Sequence, residues 1–250
     1  MKPIDLAIFI LFPLQAFTQI LNIEQERIRT DTTGLSGNAR VSFDLVQNQK
    51  QAFTFNGRAH LQFKTPRDLV LLLGDCSLIR AGGSDFSNTG FAHLRFNRRL
   101  SGPFTVEAFV QAQSNRILEV RFRGLAGAGL RARALKSERF RLYAAALPMF
   151  EYEELEQVPF HHRDLRLSTY ASWTWKASDW ISVVHTVYVQ PLFRDPADFR
   201  VASQADLVMH LSDAFSLALV VAYQTDSRPP PGVVRAVYSY RNVVSFDFGR

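Results

Sequence analysis

Arginine and carboxylate side chains recur in this sequence at spacings of two. Arg121 and Arg123, Arg131 and Arg133, and Arg139 and Arg141 form three such pairs, with Glu107, Glu151 and Asp206 elsewhere in the chain. Two-residue spacing puts side chains on one face of an extended strand. If that face encloses water, a ladder of guanidinium groups favours anions, as basic rings do in anion pores. If the carboxylates instead meet the arginines, the same groups form an ion-paired plug that closes the passage, and the sequence leaves both readings open. The candidate lumen-lining set is Arg58, Arg95, Glu107, Arg121, Arg123, Arg131, Arg133, Arg141, Glu151, Arg166, Asp206 and Arg241.

Three other constellations bear on chemistry. His185 stands between Val183 and Val187 on an apolar track, where a lipid-facing catalytic histidine would meet Ser203 of the next strand. No Gly-x-Ser-x-Gly elbow supports that pair, and a histidine among valines is more often structural. His161 and His162 lie beside Glu151, Glu153, Glu154, Glu156 and Asp164. Such oxygens suit a divalent cation or a lipopolysaccharide-bridging ion, but neither the EF-hand spacing nor a zinc spacing is present, so a solvated loop is the plainer reading. Cys76, the single cysteine, has no partner for a disulfide and reads as a small apolar strand residue. Gly124, Gly127 and Gly129 precede no helix and suit close strand packing rather than a phosphate cradle. No catalytic residue, cofactor or metal site is assigned.

The elements that must position these groups are strands. With 21 Phe, 7 Tyr and 3 Trp against 13 Gly and 11 Pro in 250 residues, the composition favours pleated structure. Period-two alternation runs from about Thr33 to Phe248. In one segment Phe53, Phe55, Gly57, Ala59, Leu61 and Phe63 alternate with Thr54, Asn56, Arg58, His60, Gln62 and Lys64. The pattern predicts about twelve strands, at 33–47, 52–64, 67–79, 89–99, 103–115, 120–135, 139–152, 164–176, 180–193, 198–212, 214–226 and 232–248, each long enough for the nine to eleven residues of a tilted membrane strand. The segment 67–79 fits least well, because Leu69 to Leu73 is apolar on both faces. Tight links near Thr65, Ser101, Ser137, Ser178 and Ser212 alternate with longer ones, as periplasmic turns alternate with outer loops. Residues 20–32 remain unassigned.

The start reads as a secretion signal over residues 1–18: a basic Met1-Lys2, an apolar run from Leu6 to Leu14 too short to span a bilayer, and Ala16-Phe17-Thr18 before the expected cleavage. Residues 19–250 then form one domain. Removing the first eighteen residues takes away Lys2 and Asp5, so the net charge of +6 is unchanged. Arginine is spread singly rather than in blocks, which argues against nucleic acid.

Alternation alone fits a soluble periplasmic, lipocalin-like binding barrel as well as a membrane barrel. Three features favour lipid. Aromatic residues sit near strand ends, among them Phe53, Phe63, Phe104, Phe140, Trp173, Trp175 and Phe246, as interfacial girdles require. The last strand ends at Phe248 with apolar residues two, eight and ten positions earlier, similar to the terminal signal read by outer-membrane assembly machinery, although Gly249 and Arg250 follow it. The polar track also carries too many charges for a dry core. The expected fold is an all-β, antiparallel up-and-down transmembrane barrel with a polar lumen.

Further residues carry a resemblance. The run Asn88 to Asn97, Glu107-Ala108-Phe109-Val110-Gln111-Ala112-Gln113, Arg121 with Gly124, Gly127, Gly129 and Arg131, Phe150-Glu151-Tyr152-Glu153, Arg166 to Tyr170, Tyr188 to Pro191, Asp198-Phe199-Arg200 and Asp226 to Pro230 resembles, in order and spacing, the outer-membrane family catalogued as domain of unknown function 481. The resemblance covers nearly the whole mature chain. It implies a bacterial outer-membrane barrel, sometimes described as salt-induced, with no established substrate, reaction or cofactor. The reading that results is a narrow channel or passive envelope component. Its partners would be membrane lipids and lipopolysaccharide, the assembly machinery through the C-terminal strand, and small anionic solutes. A barrel-embedded lipid-modifying enzyme is the alternative.

Overall fold

Twelve antiparallel strands form one sheet in which every strand pairs with its neighbours in sequence, in a computed structural model that describes residues 33–47, 51–82, 84–156, 161–212, 215–230 and 232–246. The strands are β1 (Gly34–Gln47), β2 (Gln51–Lys64), β3 (Asp68–Ala81), β4 (Ser84–Arg99), β5 (Phe104–Asn115), β6 (Val120–Lys136), β7 (Phe140–Leu155), β8 (His161–Lys176), β9 (Ile181–Pro191), β10 (Phe199–His210), β11 (Phe215–Asp226) and β12 (Ala236–Phe246). All twelve expected strands are present, most with ends within about three residues. The signal segment 1–18, residues 20–32 and Phe248 lie outside the described residues.

Four of the short connections at one end of the sheet share one device. At Thr65, Ser137, Ser178 and Ser212 the hydroxyl accepts the backbone N–H three residues on, from Asp68, Phe140, Ile181 and Phe215, at 2.9, 3.0, 3.1 and 3.0 Å. That bond reverses the chain without a long loop. The fifth short turn uses Gly102 at φ 69°, a left-handed value that a glycine adopts without penalty. At the opposite end the β5–β6 connection contains a 3₁₀ turn, Arg116–Leu118, capped by Asn115, whose side-chain oxygen accepts from the Leu118 N–H at 3.2 Å.

Side-chain orientation decides which solvent the sheet was built for. On β4, His93, Arg95 and Asn97 are buried while Leu94 and Phe96 are exposed. On β8, Asp164 and Arg166 are buried, and Leu165 between them is 58% exposed. Met149 and Glu151 on β7 are buried around an exposed Phe150. Charged groups point in and apolar groups point out, the reverse of a soluble lipocalin-like barrel and the arrangement of a barrel in lipid. Among the described residues no helix is long and apolar enough to cross a membrane.

Contacts between distant strands close the curvature. The Tyr170 hydroxyl on β8 reaches Glu107 on β5, three strands away, although three strands of a flat sheet span about 14 Å. Arg241 on β12 lies within electrostatic range of Asp206 on β10 and of Arg58 on β2. Among the described residues no ladder joins β1 to β12.

Part of the interior is apolar. Phe109, Leu125, Ala145, Leu147, Met149, Tyr170, Tyr188 and Ala202 form one buried cluster spanning β5 to β10. Gly127 belongs to this layer by necessity, because a Cβ there would lie 2.8 Å from the Phe109 ring and 2.9 Å from Met149. Leu71 and Leu73 pack inward against Phe91, so the two-sided apolar stretch of β3 has Leu71 and Leu73 inside and Leu72 outside.

Candidate functional site

The charged interior is organised in two layers with the apolar cluster between them. Nearer the short turns, Glu107 is fully buried between Arg95, at 3.4 Å, and Arg131, at 3.9 Å, and it accepts from Tyr170 at 2.7 Å. The guanidinium of Arg131 also lies 3.8 Å over the Tyr143 ring. From Arg95 a chain of side-chain bonds climbs the wall. Arg95 donates to His93 Nε2 at 3.3 Å, and His93 Nδ1 meets Gln111 Oε1 at 2.9 Å. Gln111 then donates to Gln113 at 2.7 Å. Phe91 and Phe109 sandwich the His93 ring. With Arg95 donating to Nε2, His93 carries its proton on Nδ1.

Nearer the long loops, Glu151 is the hub. Arg166 donates to it at 2.7 Å, Arg123 Nε lies 3.0 Å away, and Arg200 completes the triad from β10. Glu153 pairs with Arg123 and Arg200, Asp226 accepts from Arg200 at 2.8 Å, and Asp198 pairs with Arg166 at 2.9 Å. These are buried ions, which are tolerated only when paired and hydrogen-bonded. Above them Leu118, Val120 and Leu155 form a cluster against which Val233 packs from the β11–β12 connection.

A third group lies along the remaining wall. Arg40, Arg58 and Asp75 stand in register on β1, β2 and β3, and Arg58 donates to Asp75 at 2.9 Å. Asp206 and Arg241 flank Val220 in the same way on β10, β11 and β12. Arg58 is 43% exposed, unlike Arg95, Arg123, Arg166 and Arg200, which are buried.

The candidate residues thus fall into separate places. Arg95, Glu107 and Arg131 share the lower layer; Arg123, Glu151 and Arg166 share the upper one; Arg58, Asp206 and Arg241 belong to the third group. Arg133 and Arg141 are exposed near the short-turn end. Arg121 departs from the expected inward track, because the β6–β7 register breaks between Val120 and Phe122 and leaves it exposed at the break. A single ladder over β6 and β7 does not form, since Leu125, Gly127 and Gly129 separate Arg123 from Arg131. Arg200, Glu153, Asp198, Asp226 and Tyr170 join the network although none was among the candidate lumen-lining residues. Their strand parity was readable, but the partners depend on register.

The acidic and histidine-rich stretch is divided by the wall. Glu151, Glu153 and Asp164 point inward, with Asp164 paired to Arg194 at 2.8 Å. Glu154 points outward, accepting from the Tyr152 hydroxyl at 2.6 Å with His161 at 3.8 Å. Among the described residues no three metal-ligating side chains converge.

A family model described as "Protein of unknown function, DUF481" matches residues 30–246. The chain belongs to that family. Its fold can also be set beside a solved structure described as "NanC porin structure in rhombohedral crystal form", at 11% identity and TM-score 0.48, covering 83% of this chain and 100% of that one. No curated protein matches the sequence. In this DUF481 chain the family match spans all twelve strands, so both charged layers and the third group lie within it.

Proposed function

We propose that this DUF481 protein is an integral outer-membrane barrel that passes small anions along a narrow path on one side of its interior. One observation carries the reading: charged side chains are buried inside while large apolar side chains face outward. The two ion-paired layers and the apolar cluster fill the part of the interior bounded by β4 to β10. The path therefore runs beside β12, β1, β2 and β3, past Arg58 and Arg241. On the inward tracks of these strands Arg40, Arg58, Lys64 and Arg241 outnumber Asp44, Asp75 and Asp206, and that balance favours anions. Phospholipid and lipopolysaccharide contact the outer surface, and the C-terminal strand engages the assembly machinery.

Planar-bilayer conductance of the refolded chain tests this. The expected result is a small conductance with anion selectivity that falls in R58A and R241A. An impermeable barrel would overturn conduction and leave a passive envelope role. Recovery from the periplasm without detergent, with no heat-modifiable gel shift, would overturn the membrane location itself.

A further inference from the structure

The chain of side-chain bonds that climbs from Arg95 ends at Gln113, and there the wall opens into a shallow hollow between β3, β4 and β5. Asp75, Thr89, Phe91, Gln113 and Asn115 line it, with Gly90 and Ser114 between them. Register explains the grouping. Phe91 stands opposite Asp75 on one side and Gln113 on the other, and Thr89 stands opposite Asn115. Thr89 and Phe91 continue the inward track of β4 that carries His93 and Arg95.

Three of these groups hold hydrogen-bonding capacity that the fold does not consume. The Thr89 hydroxyl is buried, on a residue 5% exposed, and meets no partner among the described residues. Leaving a buried hydroxyl unpaired is costly, so a free one at the edge of a hollow calls for a ligand. Gln113 accepts from Gln111 through Oε1, which leaves its NH2 group to donate. Asp75 receives the Arg58 bond on Oδ2, which leaves Oδ1 to accept. Phe91 adds an apolar face: His93 stacks on its ring with centroids 6.1 Å apart, and the same ring borders the hollow.

That mixture selects a chemistry. A bare anion would meet a carboxylate beside its donors, and a cation would find one carboxylate where such ions need several oxygens. A hydroxyl group both donates and accepts, and the carbons that carry a row of hydroxyls present C–H groups to an aromatic ring. We propose that this hollow binds one hydroxylated edge of a sugar or polyol. Asp75 Oδ1 accepts from one hydroxyl, Gln113 donates to its neighbour, Thr89 bonds to either, and Phe91 lies against the C–H face. Arg58 braces the Asp75 carboxylate. The site deepens the channel reading by naming a class of solute, and rests on it only for the path that brings the solute in. Thr89 and Asn115 lie towards the long loops, the outer end of outer-membrane barrels, so the solute is met early in its passage. A passing solute must also leave, which sets a weak affinity, on the order of 1 mM.

Saturation-transfer NMR on the full-length chain refolded in phosphocholine micelles tests the site without any current. The probes are methyl glucoside, gluconate and propionate. The expected result is transfer to methyl glucoside, gluconate or both, and none to propionate; the two hydroxylated probes separate a neutral solute from an anionic one. T89V keeps the side-chain shape and removes the hydroxyl, and it should weaken binding about 5-fold, as loss of one hydrogen bond does. D75A should weaken it by about 10-fold or more, as loss of a charged acceptor does. Both variants should keep their heat-modifiable gel shift. Absence of transfer to both hydroxylated probes overturns the proposal, as does equal transfer to propionate or undiminished binding by a folded T89V. Current without sugar binding would sink this site alone, and sugar binding by a barrel that passes no current would sink conduction alone.

Discussion

The hydroxyl of Tyr170 donates a 2.7 Å hydrogen bond to Glu107 across three strands of the sheet, and Glu107 has no exposed surface. An anion so enclosed is stable only while its donors remain. Replacing Glu107 by alanine leaves Arg95 and Arg131 facing each other without their carboxylate, and breaking a buried pair in this way costs about 3–5 kcal/mol. Y170F removes one bond to a charged group and costs about 1.5–3 kcal/mol. Urea unfolding in lipid vesicles should rank E107A well below Y170F. Equal stability of the two would mean that the carboxylate is not held as an ion.

Glu151 gathers Arg123, Arg166 and Arg200 from three strands, so its removal changes both stability and charge. E151A should destabilise the barrel by about 3–5 kcal/mol through the stranded guanidinium groups. The same variant should shift any conductance further toward anions. The double variant E151A/R123A should recover part of the loss, with a coupling energy of about 0.5–3 kcal/mol in the unfolding cycle. Strict additivity would show that the two side chains act independently.

Val110 faces outward in the middle of β5 and is 52% exposed. In water an exposed Val→Arg change usually falls within about 0.5 kcal/mol. At a bilayer midplane it costs about 2–4 kcal/mol. V110R is therefore expected to unfold at markedly lower urea concentration in vesicles than the unsubstituted chain. A neutral result would mean that this face does not meet hydrocarbon.

Strand number was legible because period-two alternation survives in every segment but 67–79, even where single motifs are weak. Register was not legible. Arg121 and Arg123 are two residues apart and read as one face, yet the break at Val120/Phe122 leaves Arg121 exposed and sends Arg123 to Glu151 and Glu153. Interior apolar residues escaped for a related reason. Phe109, Leu147 and Met149 share inward tracks with Glu107 and Glu151, and alternation gives no sign that a mostly polar face carries an apolar band. The meeting of His185 Nε2 with Ser203 Oγ at 2.8 Å needed both parity, which the valines around His185 supply, and a β9–β10 register that only the fold provides.

Cys76 tests the orientation of β3 without a substitution. It stands opposite Gly57 on β2 and Gly90 on β4, on the same outward track as Leu72, while Asp75 beside it turns inward to Arg58. The flanking glycines leave the thiol uncovered, and it is exposed at the outer surface. Hydrocarbon slows the approach of polar reagents and excludes charged ones. In vesicles, Cys76 should therefore react slowly with a small uncharged maleimide and far more slowly with a charged methanethiosulfonate, whereas in urea both should label it readily. Rapid modification by the charged reagent in the folded, membrane-inserted protein would put this face of β3 in water and contradict the lipid-facing assignment of the outward track.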